Sequence, residues 1–499
     1  MLINILEYLE STAARVPDKI ALEDRSSSLS FAQLRTRALD ISDALAGAVS
    51  DIRSPVAVFL PKGVEAISAF MGVLYSGNIY MPMDVKSPAA RTRAIFENIE
   101  PAAAITDESG LEKISDLLPP EKIIVIGGVA HAESPRTRWR ENIDMDPAYI
   151  INTSGSTGVP KGVAVSHRSI IDYIEWARDC YGIGGDRVMG NQAPLYFDNS
   201  VLDIYLCLST GLKLILTPEE LFTFPIKLLE YFSQKGVDTV FFVPSVLSTI
   251  ANLGLLDAVR PPLKTVLFAG ETMPTKQLNY WISKYPKALF SNLYGPTEIT
   301  VDCTYFIVDR LLSDAEPVPI GRPCRNADVI ILDSDNRRVE GPGKSGEICV
   351  RGTSLALGYY NNPARTEAAF VQNPLNSKYP EKIYRTGDMA HFNDRGEIIF
   401  EGRKDLQIKH MGFRIELGEI ESAARSLPGV DLACAVFDAG KPAIILFYEA
   451  REEIPPRSFA SSLTSSLPKY MIPAKFVRLD AIPLTANGKT DRAALAGMI

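Results

Sequence analysis

Two periodicities alternate along the first third of the chain. Apolar positions three and four apart, as at Leu6, Leu9 and Ala13, predict a helix near the amino terminus. Unbroken apolar runs of strand length follow at 55–60, 102–105 and 123–126, and each reads as a buried strand. Helical stretches at 64–75, 91–98 and 111–118 separate them. Such strand–helix alternation predicts a largely parallel sheet with helices on both faces. The pattern continues with a helix at 167–180 and two buried parallel strands at 239–244 and 265–270. Ligands of open α/β sheets bind beyond the carboxyl ends of strands like these. From Val318 the segments become strand-rich with short turns, at 328–332, 346–351 and 396–400, which predicts a small β-subdomain. After a charged turn, apolar segments at 433–437 and 443–448 and a helix at 459–467 suffice for a small α+β domain. The expected organisation is a large α/β domain over 1–404, built of doubly wound sheets plus the β-subdomain. A small α+β domain over 405–499 follows it.

Length supports that division, because 499 residues exceed what one core holds. The composition, 46% hydrophobic and 22% charged, is that of a globular protein, and a net charge of −8 weighs against nucleic acid as a partner. Six scattered cysteines with no C-x-x-C weigh against a metal cluster or a disulfide framework. No apolar run approaches the roughly 18 residues of a membrane span, and no basic leader opens the chain. The expectation is a cytoplasmic protein with no membrane insertion.

The stretch 149–162, Y-I-I-N-T-S-G-S-T-G-V-P-K-G, carries the densest chemistry. A strand pattern runs into Thr153, Ser154, Gly155, Ser156, Thr157 and Gly158, and then Lys161. Glycines let successive backbone N–H groups turn inward around an anion, hydroxyls add donors, and a lysine adds a mobile positive charge. By itself S-G-S-T-G also suits a plain flexible loop. A Walker loop needs G-x-x-x-x-G-K-[ST] leading into a helix, whereas Lys161 precedes Gly162 and a strand-like V-A-V-S.

Further strings follow. In F-D-N-S-V-L-D-I-Y, Ser200 and Asp203 have the spacing of a capping box, which leaves Asp198 without a capping task just outside a helix. Asp198 then reads as a solvated turn residue or as a ligand group. In N-L-Y-G-P-T-E, Tyr294 can stack a base, Asn292 can read its edge, and Glu298 offers hard oxygens to Mg²⁺. In Y-R-T-G-D, the two oxygens of Asp388 suit a pair of ribose hydroxyls.

These strings, with L-S-F-A-Q-L at 29–34, G-R-K-D at 402–405 and N-G-K-T-D-R at 487–492, stand in an order that resembles the adenylate-forming enzymes. That superfamily holds acyl-CoA synthetases, luciferases and nonribosomal-peptide adenylation domains. The resemblance covers residues 6–495 and is nearest to stand-alone amino-acid adenylation enzymes, similar to D-alanine–D-alanyl carrier protein ligases. It implies a ligase that uses ATP and Mg²⁺ to convert an amino acid to its adenylate, then passes it to the phosphopantetheine thiol of a separate carrier protein. It implies that Lys489 is catalytic and that Asp405 is the hinge of a mobile small domain. Gly270, Glu271, Asn292, Tyr294, Gly295, Thr297, Asp388 and Arg403 are implied to hold adenine and ribose, and Asp198 the substrate α-ammonium. Acyl-CoA synthetases, the alternative on the same fold, generally lack that aspartate.

By motif alignment the side-chain pocket comprises Asn199, Leu202, Ser245, Leu267, Ala269, Leu293, Val301 and Asp302. Three leucines and a valine favour a small side chain. D-Alanyl ligases carry cysteine where Ala269 stands, which weighs against D-alanine. A carboxylate at a pocket floor needs a partner. For Asp302 that partner is a substrate hydroxyl, a side-chain ammonium, or a group of the protein itself. The expected substrate is serine or alanine, followed by a short diamino acid.

Overall fold

The computed structural model describes residues 2–155, 160–404, 407–438, 440–483 and 490–499. The chain forms two compact units. One comprises Met1–Val85, Pro101–Ile151 and Gly162–Gly402, the other Lys86–Glu100, Asn152–Lys161 and Arg403–Ile499. The last division falls beside the expected 404/405 boundary. The two short segments assigned to the second unit were expected in the large domain. Within that unit Arg91 pairs with Glu419, and the Asn98 amide donates to the Pro160 carbonyl at 3.0 Å.

The first unit holds two mixed sheets and an antiparallel one. Pro147–Thr153, Ile79–Pro82, Pro55–Phe59, Ala103–Thr106 and Ile123–Val125 run parallel in one sheet. The second sheet has six consecutive parallel strands, in the order Leu289–Tyr294, Thr265–Ala269, Thr239–Phe242, Val188–Asn191, Lys213–Leu216, Ile20–Glu23. Period-two alternation splits its side chains between two cores. Val240, Phe242, Val266, Phe268 and Phe290 pack with Leu228, Leu247, Leu278 and Trp281 of the helices Pro225–Lys235, Pro244–Asn252 and Thr275–Lys284. Phe241, Leu267, Ala269 and Leu293 face the main core instead. The expected β-subdomain is the antiparallel sheet of Ala327–Leu332, Gly346–Gly352, Lys382–Phe392 and Phe370–Gln372, with Ile398–Arg403 paired to its long strand.

Helix Val64–Tyr75 runs between its expected ends and is buried except at Glu65. An all-round apolar helix belongs in a core. Its Gly72 admits helix Phe31–Ala48, since a Cβ there would lie 2.6 Å from Ile41 Cγ2. The helix expected at 111–118 instead spans Glu108–Ile114, because the Asp107 carboxylate caps it by accepting from the Gly110 N–H at 2.7 Å.

In the second unit, a hairpin of Gln407–His410 and Phe413–Glu416 leads into helix Leu417–Arg425. A sheet of Val430–Asp438, Ala443–Ala450 and Lys475–Leu479 follows. Ile415, Ile420, Leu446, Tyr448, Phe459 and Leu463 form its core. Among the described residues no helix is long and apolar enough to cross a membrane.

Candidate active site

The second sheet changes direction at Val188–Asn191. The next strand, Lys213–Leu216, pairs on one side of it, and Thr239–Phe242 pairs on the other. Such a switch point opens a crevice beyond the strand carboxyl ends. Gln192 lies just past it and accepts from the Val243 N–H at 3.1 Å. The Glu271 carboxylate accepts from the Ser245 N–H at 2.9 Å, in the first turn of helix Pro244–Asn252, where negative charge is stabilised.

Helix Asn199–Thr210 leaves the same crevice, but the capping box expected at Ser200 and Asp203 does not form. Asp198 is the N-cap residue, and its side chain makes no capping hydrogen bond. Ser200 lies inside the first turn, where its hydroxyl donates to the Phe197 carbonyl at 2.6 Å. Asp203 is fully buried and accepts from the Asn191 amide at 2.6 Å. The spacing misled because the helix begins two residues earlier than it suggested. The working capping box is at Ser30 and Gln33, inside L-S-F-A-Q-L. Asp198 precedes Leu202 by one helical turn, and Leu202, Leu267, Ala269, Leu293 and Val301 are all buried. Register places Ala269 beside Leu293 and Leu267 beside Ser291, so Leu267, Ala269 and Leu293 share a sheet face. Asn199 and Ser245 are half-buried.

Three of the expected polar residues have partners far along the chain. The Tyr294 hydroxyl donates to Asp388, which joins the expected base-stacking ring to the expected ribose carboxylate. Burial, and then the Asp388 charge, hold that phenol well above its ordinary value. Glu298 is buried and accepts from the Tyr359 hydroxyl at 2.8 Å. Asp302, also buried, accepts from the Tyr173 hydroxyl at 2.7 Å. The protein therefore supplies a partner for Asp302, and a substrate group is not required to pair that carboxylate. Neither tyrosine was singled out from sequence, since each reads as an apolar position whose hydroxyl partner is set by packing.

The backbone beside Asp302 is constrained. Thr300 and Val301 have φ of 58° and 69°, a conformation uncommon for β-branched residues. The turn packs against Gly295, where a Cβ would lie 2.3 Å from the Val301 carbonyl oxygen and 2.6 Å from Asp302 Cα. Gly295→Ala is expected to displace the turn and destabilise the protein by about 1–3 kcal/mol, the usual range for overpacking. Denaturant unfolding measures it. Unchanged stability would show that the turn retreats without strain.

In the second unit, the Ser154 hydroxyl donates to the Arg414 carbonyl at 2.9 Å, and the Lys161 ammonium lies 4.0 Å from Glu416. Gly155 precedes the break in the described residues, and Arg403 ends the strand Ile398–Arg403. Ser156, Thr157, Gly158, Asp405 and Lys489 lie outside the described residues.

Unpaired buried atoms test the fit to a nucleotide. Asn292 donates to the Pro319 carbonyl at 2.8 Å, while its Oδ1 has no partner and is free to accept from an adenine amine. Thr153 Oγ1 and both polar atoms of the Asn152 side chain are likewise buried and unpaired at the start of the expected phosphate loop. For Mg²⁺, which takes one or two carboxylates together with substrate phosphates, Glu298 offers the right donor chemistry. Among the described residues no cluster of three metal-ligating side chains occurs.

A family model described as AMP-binding enzyme matches residues 9–360, and the chain belongs to that family. It is 32% identical over 504 residues to zwittermicin A synthase ZmaJ of Bacillus cereus, covering 99% of this chain and 94% of that protein. It is 30% identical over 513 residues to the delta-poly-L-ornithine synthetase of Acinetobacter baumannii (strain AB307-0294), covering 98% of this chain but 36% of that protein. Among solved structures, holo-PA1221, an NRPS protein containing adenylation and PCP domains, superimposes with a TM-score of 0.85 at 27% identity. That match covers 99% of this chain and 84% of the other. The chain is an adenylate-forming enzyme of nonribosomal-peptide type.

Proposed function

We propose that this enzyme activates a small amino acid with ATP and transfers it to the phosphopantetheine thiol of a separate carrier protein. The observation that carries the reading is Asp198, a carboxylate at a helix start that caps nothing, one turn from buried pocket positions. A carboxylate there suits an α-ammonium through a charge-assisted hydrogen bond. In this reading Tyr294, Asn292 and Asp388 orient the nucleoside, and Lys161 with the 153–158 hydroxyls holds phosphate oxygens. Mg²⁺ at Glu298 would neutralise charge on the departing pyrophosphate. Lys489 bridges substrate carboxylate and α-phosphate, and Asp405 is the hinge that brings the second half-reaction's groups into place.

Serine or alanine ranks first and a short diamino acid second. Buried leucines and Val301 favour a small side chain. The name of the polyornithine relative keeps ornithine among the candidates. Pyrophosphate exchange across the proteinogenic amino acids, D-alanine, diamino acids and fatty acids tests the reading, with exchange on a small amino acid expected. Exchange on fatty acids alone would establish the acyl-CoA synthetase alternative. Asp302→Ala is expected to reorder the substrate ranking. An unchanged ranking would leave Asp302 a structural partner of Tyr173 only.

A further inference from the structure

Behind the crevice lies a buried polar cluster that the reading above does not use. Asn191 ends the strand at the switch point, and Asp203 lies one turn into the helix that starts beside Asp198. The Asn191 amide donates to Asp203 Oδ2 at 2.6 Å, while Asn191 Oδ1 and Asp203 Oδ1 are both buried without a partner. Two acceptor oxygens left over on side chains already joined by one hydrogen bond indicate a missing proton. With Asp203 ionised, each oxygen would bear the full cost of an unsatisfied buried acceptor. With Asp203 protonated, its O–H donates back to Asn191 Oδ1, and the acid and amide close a two-bond ring.

We propose that Asp203 is a positioning residue, held as a neutral carboxylic acid paired with Asn191, which clamps the substrate-binding end of helix Asn199–Thr210 to the strand at the switch point. The inference rests on the functional reading above only for what the clamp serves. Charged groups around the pair are few. Lys62, in the turn after strand Pro55–Phe59, donates to the Asn191 and Gln192 carbonyls at 3.2 Å each, and the Glu219 charge acts on Lys62 in turn. Burial pushes Asp203 up to about 8, opposed by the Asn191 hydrogen bond and the Lys62 charge. Burial pushes Lys62 down to about 8. An acid with its folded value raised this way keeps its proton where the unfolded chain has lost it. Its favourable contribution is complete below the ordinary carboxylate range and is lost as the pH rises through about 8.

The test compares wild type with Asp203→Asn, whose amide restores both hydrogen bonds at every pH. Above pH 8 the amino-acid KM of wild type should rise relative to that of Asp203→Asn by about tenfold per pH unit, as for one ionisation. The ATP KM ratio should stay flat. In infrared difference spectra at neutral pH, wild type should show a protonated-carboxyl band that Asp203→Asn lacks. Lys62→Met should move the band's titration midpoint upward. Absence of that band in wild type, or a flat amino-acid KM ratio alongside it, would overturn the proposal. Should Asp203→Asn fail to fold, the wild-type and Lys62→Met titrations still decide it. An enzyme inactive on every amino acid would refute the functional reading, while the infrared band would still decide the state of Asp203.

Discussion

Asp198→Ala is expected to lower kcat/KM for amino-acid-dependent pyrophosphate exchange by about 30-fold to several thousand-fold. Removing one member of a desolvated, hydrogen-bonded charge pair costs about 2–5 kcal/mol, because the other charge is left without compensation. In the proposed function the stranded charge is the substrate ammonium. Asp198 makes no capping hydrogen bond, so its truncation removes no cap from helix Asn199–Thr210, and the melting temperature of the variant separates lost binding from lost folding. The loss should appear in the amino-acid KM more than in the ATP KM. The decisive comparison uses the matching carboxylic acid that lacks the amine. Wild type should prefer the amino acid strongly, and the variant should discriminate little. Equal preference in both proteins would mean that Asp198 does not read the ammonium.

The second large effect is expected at Lys489. Lys489→Ala should reduce exchange by about 100- to 1,000-fold, equivalent to about 3–4 kcal/mol, by analogy with the loss of one oxyanion donor. Adenylation brings two anions together, and a positive charge that strengthens its contacts as the new bond forms lowers kcat rather than raising KM. Lys489 follows N-G in the sequence, a pair that favours a turn, and a lysine there without chemical work would be solvated. Exchange near the wild-type rate would therefore return Lys489 to that ordinary role. An unchanged melting temperature in the variant would separate lost chemistry from lost folding.

Much of the architecture was legible in the order of residues. Local features have local signatures. The unbroken apolar stretch over Val64–Tyr75 marked a helix buried all round, and the runs near 239–242 and 265–269 marked parallel strands covered on both faces. Motif order identified the family, because the chemistry needs those residue types at strand ends and loops. Capping chemistry was less secure. Ser200 and Asp203 fit a local rule whose side chains were recruited by Asn191 and the Phe197 carbonyl instead.

Only the tertiary structure decided the pairings that hold the site residues. Tyr294 meets Asp388 across 94 positions, Tyr359 meets Glu298 across 61, and Tyr173 meets Asp302 across 129. A tyrosine in an apolar stripe contributes its ring to the core, which periodicity detects. The partner of its hydroxyl depends on which strand or turn packing delivers to that point. Strand order in the sheets and the grouping of 86–100 and 152–161 with the second unit are likewise properties of packing. Hydrophobic pattern records which face of an element is buried, but not against what. The sequence by itself thus determined the elements, the family and the residue types at the site. The fold decided which buried side-chain oxygens received a donor from another residue, and at Asn152, Thr153, Asn191, Asp203 and Asn292 it left a buried oxygen without one.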